Sequence, residues 1–514
     1  MIFGEVLRAA RQRNPDKLAF VCGDRKFSYA ELDDITDRLA GGLYAAGVRT
    51  DDRVALFTPN CTELVLSYLA CFKLGAMAVP LNHRYRQAEA EYAIGHSGST
   101  TLIVHADKLP DVAHLEFDRL GVSRRYLVGG ASKPGWQPFA TLVAGHAAPP
   151  PAEFDTRQLA TIMYTSGTTA KPKGVVHSHQ TLWHCVQIQC EGMQYTDDDV
   201  HLVTTSACHC AATYGQIFPN LYIGGTIVML DAPTPADVVR AIVEHGATRC
   251  QMLPASLQDL VEYLEAHPTP LPSLRSFFAG GDVVPLDTHD RFRRATGLDV
   301  SEVCGMTEAI TYTVNPPFGE KRLGSIGKPL GKTQVRIADE HGAELPDGSE
   351  GEILIKSPSN MVGYWNDTLH SVATYRDGWL ASGDLGRRDA QGYLWFVGRK
   401  KEIIIRGGSN ISPLEVEEVI DQHPAVHTSG VVGMPDARWG QIVVAYVSLR
   451  AEAKPRPTAD ELRDFVAQRI AAYKVPVHFF LIDKLPLNAS NKIDRKKLHE
   501  RVVADMQAAT CTKG

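Results

Sequence analysis

Over the first three hundred residues, short apolar runs alternate with stretches of helical periodicity, and this rhythm constrains the fold more than any other feature of the chain. Arg53-Val-Ala-Leu-Phe57, Thr101-Leu-Ile-Val104, Thr226-Ile-Val-Met-Leu230 and Ser276-Phe-Phe-Ala-Gly280 read as strands, and Pro235–His245 reads as a helix. Strands that alternate with helices imply a parallel, helix-covered sheet. From Gly331 the rhythm changes to short strands with turn signals, in Thr333-Gln-Val-Arg-Ile337, Gly351-Glu-Ile-Leu-Ile-Lys356 and Gly392-Tyr-Leu-Trp-Phe-Val397, which predicts a β-rich subdomain. Beyond Gly398-Arg399-Lys400-Lys401 the chain restarts with helices over Leu414–Gln422 and Thr458–Ala472 and strands over Ser429–Gly433 and Ile442–Leu449. The remaining stretch, about 115 residues, suffices for a small independent α+β domain. The expected division is therefore 1–398 as an N-terminal domain, 399–401 as a hinge and 402–514 as a C-terminal domain.

Charge and cysteine usage remove several functions. Lys+Arg number 53 against 59 Asp+Glu in 514 residues, a net charge of -6, whereas a sequence-independent grip on nucleic acid needs a positive excess. The 10 cysteines include no C-x-x-C pair, so no disulfide framework or zinc ribbon is expected, and a reducing, cytoplasmic setting follows. Cys208 and Cys210 flank His209 without a second ligand cluster and read as small buried hydrophobes. The apolar stretch Leu64–Leu81 carries Lys73 and is broken by Gly75 and Pro80, so it predicts a buried helix and a short strand rather than a membrane span. Arg8, Arg11 and Arg13 lie in a first surface helix that Asn14-Pro15-Asp16 stops.

The strongest local signal is Thr161-Ile-Met-Tyr-Thr-Ser-Gly-Thr-Thr-Ala-Lys-Pro-Lys-Gly174. A strand-like approach enters a glycine, hydroxyl residues and two lysines, which offer donors and positive charge to phosphate oxygens. It is not a Walker A loop: the spacing between glycines is too long, and Lys173 precedes Gly174.

Thr165 to Gly174 resembles the phosphate loop of the acyl-adenylate-forming superfamily, which includes acyl-CoA synthetases, adenylation domains and luciferases. Further motifs follow in that family's order: Gly280-Gly281, Cys304-Gly305-Met306-Thr307-Glu308, Gly324-Ser-Ile-Gly-Lys-Pro329, Gly378-Trp-Leu-Ala-Ser-Gly-Asp384, Gly398-Arg399, Gly407-Gly408-Ser-Asn-Ile-Ser-Pro413 and Asn488-Ala-Ser-Asn-Lys492-Ile493. The resemblance covers nearly the whole chain. It implies an α/β fold with a large N-terminal domain of two helix-covered sheets plus a β-rich subdomain, and a small mobile α+β C-terminal domain.

The resemblance also implies an acid–CoA ligase working in two half-reactions. A carboxylate and ATP give an acyl-AMP and pyrophosphate, and the thiol of coenzyme A then displaces AMP. By similarity, Thr165, Ser166, Gly167, Thr168, Thr169 and Lys173 hold the phosphates, and Glu308 with Thr168 holds Mg²⁺, which accepts one carboxylate plus phosphate oxygens. Gly281, Val303, Cys304, Gly305, Met306 and Thr307 border the nucleotide. Asp384 suits the ribose because one carboxylate accepts from two adjacent hydroxyls. Arg399 reports nucleotide occupancy to the hinge at Lys401. Lys492 is the adenylation lysine, meeting the substrate carboxylate and the α-phosphate where negative charge accumulates. Gly407, Gly408, Trp439 and Arg84 fall to coenzyme A. His209, Tyr214, Gly280, Ile310 and Thr311 fall to the acid pocket, with His209 also a catalytic candidate.

The pattern departs from the family at three places. Cys304 stands where most relatives stack an aromatic ring on adenine, a difference of roughly 1 kcal/mol by analogy with aromatic stacking. Ala170 replaces a loop glycine, and Thr204-Thr-Ser-Ala-Cys-His209 lacks the usual proline and aromatic. The mixed pocket walls fit a hydrophobic monocarboxylic acid, medium-chain, alicyclic or aryl. An enzyme that loads a carrier-protein phosphopantetheine is the alternative, disfavoured by Trp439 and by the lack of an appended carrier. The expected partners are the acid, ATP and coenzyme A, with no nucleic acid and no integral membrane segment; a homodimer is compatible with the sequence.

Overall fold

The computed structural model describes residues 2–149, 155–165, 171–407, 409–436, 438–451, 453–488 and 492–511. By internal contacts the chain falls into two units. Met1–Val284, Thr288–Val335 and Ile355–Leu380 form the first; Pro285–Asp287, Arg336–Leu354 and Ala381–Gly514 form the second.

The first unit holds two sheets. One has nine strands, in the order Lys328–Pro329, Ile310–Val314, Val300–Met306, Ser276–Gly280, Arg249–Met252, Val200–Val203, Thr226–Met229, Leu18–Cys22 and Arg25–Ser28. Its centre is parallel, from Val300–Met306 across to Leu18–Cys22. The other has eight strands, in the order Gly363–Tyr364, Lys173–Ser178, Leu159–Thr165, Met77–Pro80, Arg53–Phe57, Thr101–His105, Arg124–Val128 and Gln137–Pro138. The helical signals hold where capping chemistry supports them. Pro235–His245 starts on Thr234, whose hydroxyl accepts from the Asp237 N–H in a capping box, and stops at Gly246 with φ 61°. Thr62–Leu74 is buried on nearly all sides, stops at Gly75 and leads into Met77–Pro80, as the break at Gly75 predicts. Among the described residues no helix is long and apolar enough to cross a membrane.

In the second unit a five-stranded sheet runs Ser409–Ile411, Ile404–Arg406, Gly440–Leu449, Val426–Asp436, with His478–Leu481 parallel to Gly440–Leu449. The helices Pro413–Asp421, Ala459–Ala467 and Arg495–Cys511 accompany it. The helix expected over Thr458–Ala472 is shorter: Thr458 is its N-cap and Gln468 its C-cap, with a separate short turn at Ala472–Lys474. Residues 384–388 pair antiparallel with Leu394–Arg399, which sets Asp384 opposite Arg399.

Candidate active site

The strands Leu159–Thr165 and Lys173–Ser178 pair antiparallel with Thr165 opposite Lys173, so the two ends of the phosphate loop are fixed side by side. Ser166, Gly167, Thr168, Thr169 and Ala170 lie outside the described residues. Lys173 Nζ stands 4.7 Å from the centre of the Tyr364 ring. The Tyr364 hydroxyl donates to Glu308 Oε1 at 2.8 Å, and burial together with the Glu308 charge holds that phenol above its ordinary range, so it keeps its proton. Tyr364 arrives on the short strand Gly363–Tyr364, which pairs with Val176 and Val175. Its segment also donates from Met361 N to Glu308 O at 2.7 Å and from Trp365 N to Gly174 O at 2.7 Å. One short piece of backbone therefore ties the strand that bears Lys173 to the residue that bears the carboxylate.

Glu308 sits in the tight turn between Val300–Met306 and Ile310–Val314, closed by Ala309 N donating to Met306 O at 3.1 Å. Ile310 takes φ 50°, a left-handed conformation that costs a β-branched residue on the order of 1–3 kcal/mol. Gly305 makes the turn feasible, because a Cβ there would fall 2.1 Å from Ile310 O. His177 steadies the same turn: its Nε2 donates to Thr307 O at 2.8 Å, and its Nδ1 lies 3.2 Å from Thr181 Oγ1. Burial lowers His177 to about 4, so the ring is neutral and serves as a fixed donor. Lys173 and His177 lie four residues apart on one strand and so share a face.

Beside this turn, Gly280 lies opposite Val303, and a Cβ on Gly280 would fall 2.1 Å from Val303 O. Gly281 follows with φ 93°. Cys304 Sγ lies 3.1 Å from the Tyr312 hydroxyl, so the residue expected beside adenine is tied to a buried tyrosine. Met306 and Thr307 lead into Glu308, and Thr311 O accepts from Gln189 Nε2 at 3.2 Å. Tyr214 is fully buried and packs its ring against Phe3 and Phe218, so it belongs to the aromatic core behind the site rather than to an accessible wall.

The loop that presents His209 is held on several sides. Asn60 Nδ2 donates to Thr205 O at 2.9 Å, Asn60 Oδ1 accepts from Ala207 N at 2.7 Å, and Tyr68 donates to Ala207 O at 2.9 Å. His209 then takes the N-cap position of the short helix Cys210–Ala212, in extended backbone and without a side-chain cap bond. Cys208 corrects the expectation of a small buried hydrophobe: its Sγ lies 3.1 Å from Ser206 Oγ, which lies 3.0 Å from His83 Nδ1. Burial alone would raise the Cys208 thiol, but the charge and hydrogen bond of His209, with His83 and Ser206, bring it well below its ordinary value. Cys210 Sγ reaches Thr307 Oγ1 at 3.8 Å. Arg84 is exposed, its backbone N–H on Asn82 Oδ1 at 2.9 Å.

In the second unit Arg399 Nε lies 3.5 Å from Asp384 Oδ1, so the carboxylate expected to meet the ribose and the arginine expected to precede a hinge are cross-strand neighbours. Lys400 Nζ pairs with Glu352 at 3.2 Å, and Lys401 is exposed. Gly407 and Trp439 meet: Gly407 N donates to Trp439 O at 2.7 Å, and a Cβ on Gly407 would lie 3.1 Å from the indole. Arg438 and Arg406 stand 4.9 and 5.9 Å from that ring. Gly408 and residues 489–491 lie outside the described residues. Lys492 closes a small turn in which Asn488 N donates to Lys492 O at 2.8 Å and Lys492 N to Asn488 Oδ1 at 3.1 Å.

Tyr364 and His177 are the residues that sequence reading misses. The period of two from Lys173 points to His177, but nothing local marks Tyr364, which meets Glu308 only through strand pairing.

The loop between the paired strands is bordered by a lysine that shares Tyr364 with a buried carboxylate, a cation and an anion held on one side chain. The chain belongs to the AMP-binding enzyme family, matching it over residues 7–365 and matching the AMP-binding enzyme C-terminal domain over residues 415–492. It is 35% identical over 498 residues to a feruloyl-CoA synthase from Amycolatopsis sp., covering 96% of this chain and 98% of that protein. The anthranilate CoA ligase AuaEII in complex with anthranoyl-AMP superposes with a TM-score of 0.90 at 27% identity, covering 99% of this chain and 98% of that one. The o-succinylbenzoate coenzyme A synthetase MenE from Bacillus subtilis, in complex with ATP and magnesium ion, gives 0.83 at 31% identity, covering 96% and 99%.

Proposed function

We propose that the chain is an AMP-forming acid–CoA ligase acting on a hydrophobic monocarboxylic acid, medium-chain, alicyclic or aryl. The observation that carries the reading is the Lys173–Tyr364–Glu308 connection, which fixes a cation and a buried anion around one phosphate loop. In the first half-reaction the acid's own oxygen attacks the α-phosphorus and pyrophosphate leaves. The protein's task is then alignment and charge neutralisation more than covalent chemistry.

Lys173, Thr165 and the loop between them hold the β- and γ-phosphates. Glu308 offers a hard carboxylate oxygen, the donor type that Mg²⁺ takes together with phosphate; it would hold that ion, which would supply positive charge to the leaving pyrophosphate. Gly281, Val303, Cys304, Gly305, Met306 and Thr307 line the nucleotide. Asp384 accepts from the ribose hydroxyls and Arg399 braces Asp384. Lys492 neutralises charge where carboxylate and α-phosphate meet. In the second half-reaction rotation at the hinge, residues 399–401, withdraws Lys492 and brings Gly407, Gly408 and Trp439 to the pantetheine arm. His209 orients the acyl group, with Gly280, Ile310 and Thr311 as walls.

The named relatives support a thioester-forming outcome, and the cysteines, which carry no disulfide among the described residues, support a reducing, cytoplasmic setting. The test is acid-dependent exchange of labelled pyrophosphate into ATP, followed by coenzyme A-dependent release of AMP. Failure of exchange with aryl, alicyclic and aliphatic acids alike would overturn the reading.

A further inference from the structure

The turn that carries Lys492 does not stand alone. Three residues further on, at the start of Arg495–Cys511, the Arg495 guanidinium makes three hydrogen bonds. Nε donates to Glu402 Oε2 at 3.0 Å, Nη1 to Glu417 Oε1 at 2.9 Å and Nη2 to Glu417 Oε2 at 2.9 Å. The pair with Glu417 is a bidentate fork, and Glu417 Oε1 also accepts from Val431 N at 2.6 Å, so that end of the clamp is built into the sheet. The other end, Glu402, is the first residue past the hinge, and its N–H donates to Arg399 O at 2.9 Å. Leu485, Ile493 and Leu498 close over Gly430, where any Cβ would meet Leu498 at 2.8 Å. The Lys492 turn therefore rests on a packed floor and is fastened at its base to the hinge exit.

We propose that Arg495 is a positioning residue for Lys492: it locks the Lys492 turn to Glu402, so that rotation at the hinge delivers the lysine as one rigid piece. The inference rests on the assignment of Lys492 as the adenylation lysine. A guanidinium suits the task because its planar fork serves two carboxylates at once, which a lysine in its place could not do. The two arms divide the work. The Glu417 arm is buried and holds the turn to the sheet, whereas the Glu402 arm, with its carboxylate 29% exposed, is more screened by solvent and links the turn to the residue after 399–401.

The test uses the full chain and an acid that the wild-type protein activates, from a panel opening with trans-cinnamate and octanoate. Pyrophosphate exchange reports the first half-reaction, and thiolysis of the matching preformed acyl-adenylate by coenzyme A reports the second. Misplacing a charge-stabilising group by about 1 Å can cost about 100-fold, so Glu402→Gln should lower the exchange rate about 10-fold and Arg495→Gln about 100-fold, with thiolysis by Glu402→Gln within about threefold of wild type. Arg495→Lys, which keeps the charge and loses the fork, should fall between them. Glu402→Gln should also melt at the wild-type temperature, and it decides the matter if Arg495→Gln does not fold. Wild-type exchange in Glu402→Gln, or an equal fall in both half-reactions, would overturn the proposal. Undiminished exchange in Lys492→Ala would instead overturn the assignment on which it rests.

Discussion

Tyr364 and Glu308, 56 positions apart in the chain, share a hydrogen bond of 2.8 Å in which the phenol is the donor. The bond occupies one oxygen of the carboxylate and fixes its direction, while the face of the same ring carries Lys173. Tyr364→Phe keeps the ring under Lys173 and removes only the donor. A hydrogen bond to a charged group is worth about 1.5–3 kcal/mol, so pyrophosphate exchange should fall about 10- to 100-fold, with a higher magnesium requirement and unchanged KM for coenzyme A. Titration of exchange rate against magnesium checks this.

His177 gives the first unit an acid-sensitive component. Its folded value, about 4, lies below that of a free imidazole, so its contribution to stability is fully present above about pH 6.5 and is lost as the pH falls through about 4. His179 and His201 are lowered to about 4 by the same burial and add to the effect. His177→Gln retains a donor for Thr307 without a titrating ring. Its unfolding free energy should fall less steeply between pH 6.5 and 4 than that of the wild type, by an amount on the order of 3 kcal/mol at the acid end, as chemical denaturation across that range measures.

Asp421 in the second unit works in the opposite sense. Burial pushes its carboxyl up to about 8, Ser429 opposing, and its Oδ1 has no hydrogen-bond partner among the described residues. A carboxyl raised in the folded state stabilises most below its unfolded value near 4 and loses that stabilisation as the pH rises through about 8. Asp421→Asn should therefore be neutral or destabilising at pH 5 and stabilising at pH 9. Chemical denaturation at the two pH values, followed by tryptophan fluorescence, measures the crossover.

Trp439 is 42% exposed, packed on Gly407 and flanked by Arg438 and Arg406. An exposed indole between two guanidinium groups suits a ligand with an apolar arm and phosphates. Trp439→Ala should raise the KM for coenzyme A about 10-fold, near the ~1–1.5 kcal/mol of one aromatic contact, while pyrophosphate exchange stays at the wild-type rate. A loss confined to exchange would remove Trp439 from the thiol half-reaction.

Much of the fold is legible in the sequence because its signals are local. Pro235–His245 declares both ends, through Thr234 with Asp237 and through Gly246. The strand Ser276–Gly280 is bounded as its apolar run suggests. The helix over Thr458–Ala472 is overestimated because apolar periodicity continues past Gln468, where the backbone has already turned into a cap. In the candidate site, the motifs lead to Lys173, Glu308, Asp384, Arg399 and Lys492, but not to what holds them. Tyr364, His177 and Arg495 act through partners that strand pairing and helix packing bring near, and no spacing rule encodes those distances. Cys208 reads as apolar until Ser206 and His83 appear beside its sulfur.

The turn from Met306 to Ile310 has a consequence for redesign. Glu308 and two of the residues proposed to wall the acid pocket, Ile310 and Thr311, hang from one hairpin, whose closure depends on the missing side chain at Gly305 and the left-handed backbone at Ile310. An engineer who wants this protein to accept a bulkier or smaller acyl donor can repaint Thr311 or the facing helix His179–Gly192, but a change at Gly305 would shift the carboxylate along with the pocket. Diversification of substrate taste is thus channelled into a few side chains, and the turn that carries Glu308 is inherited unchanged.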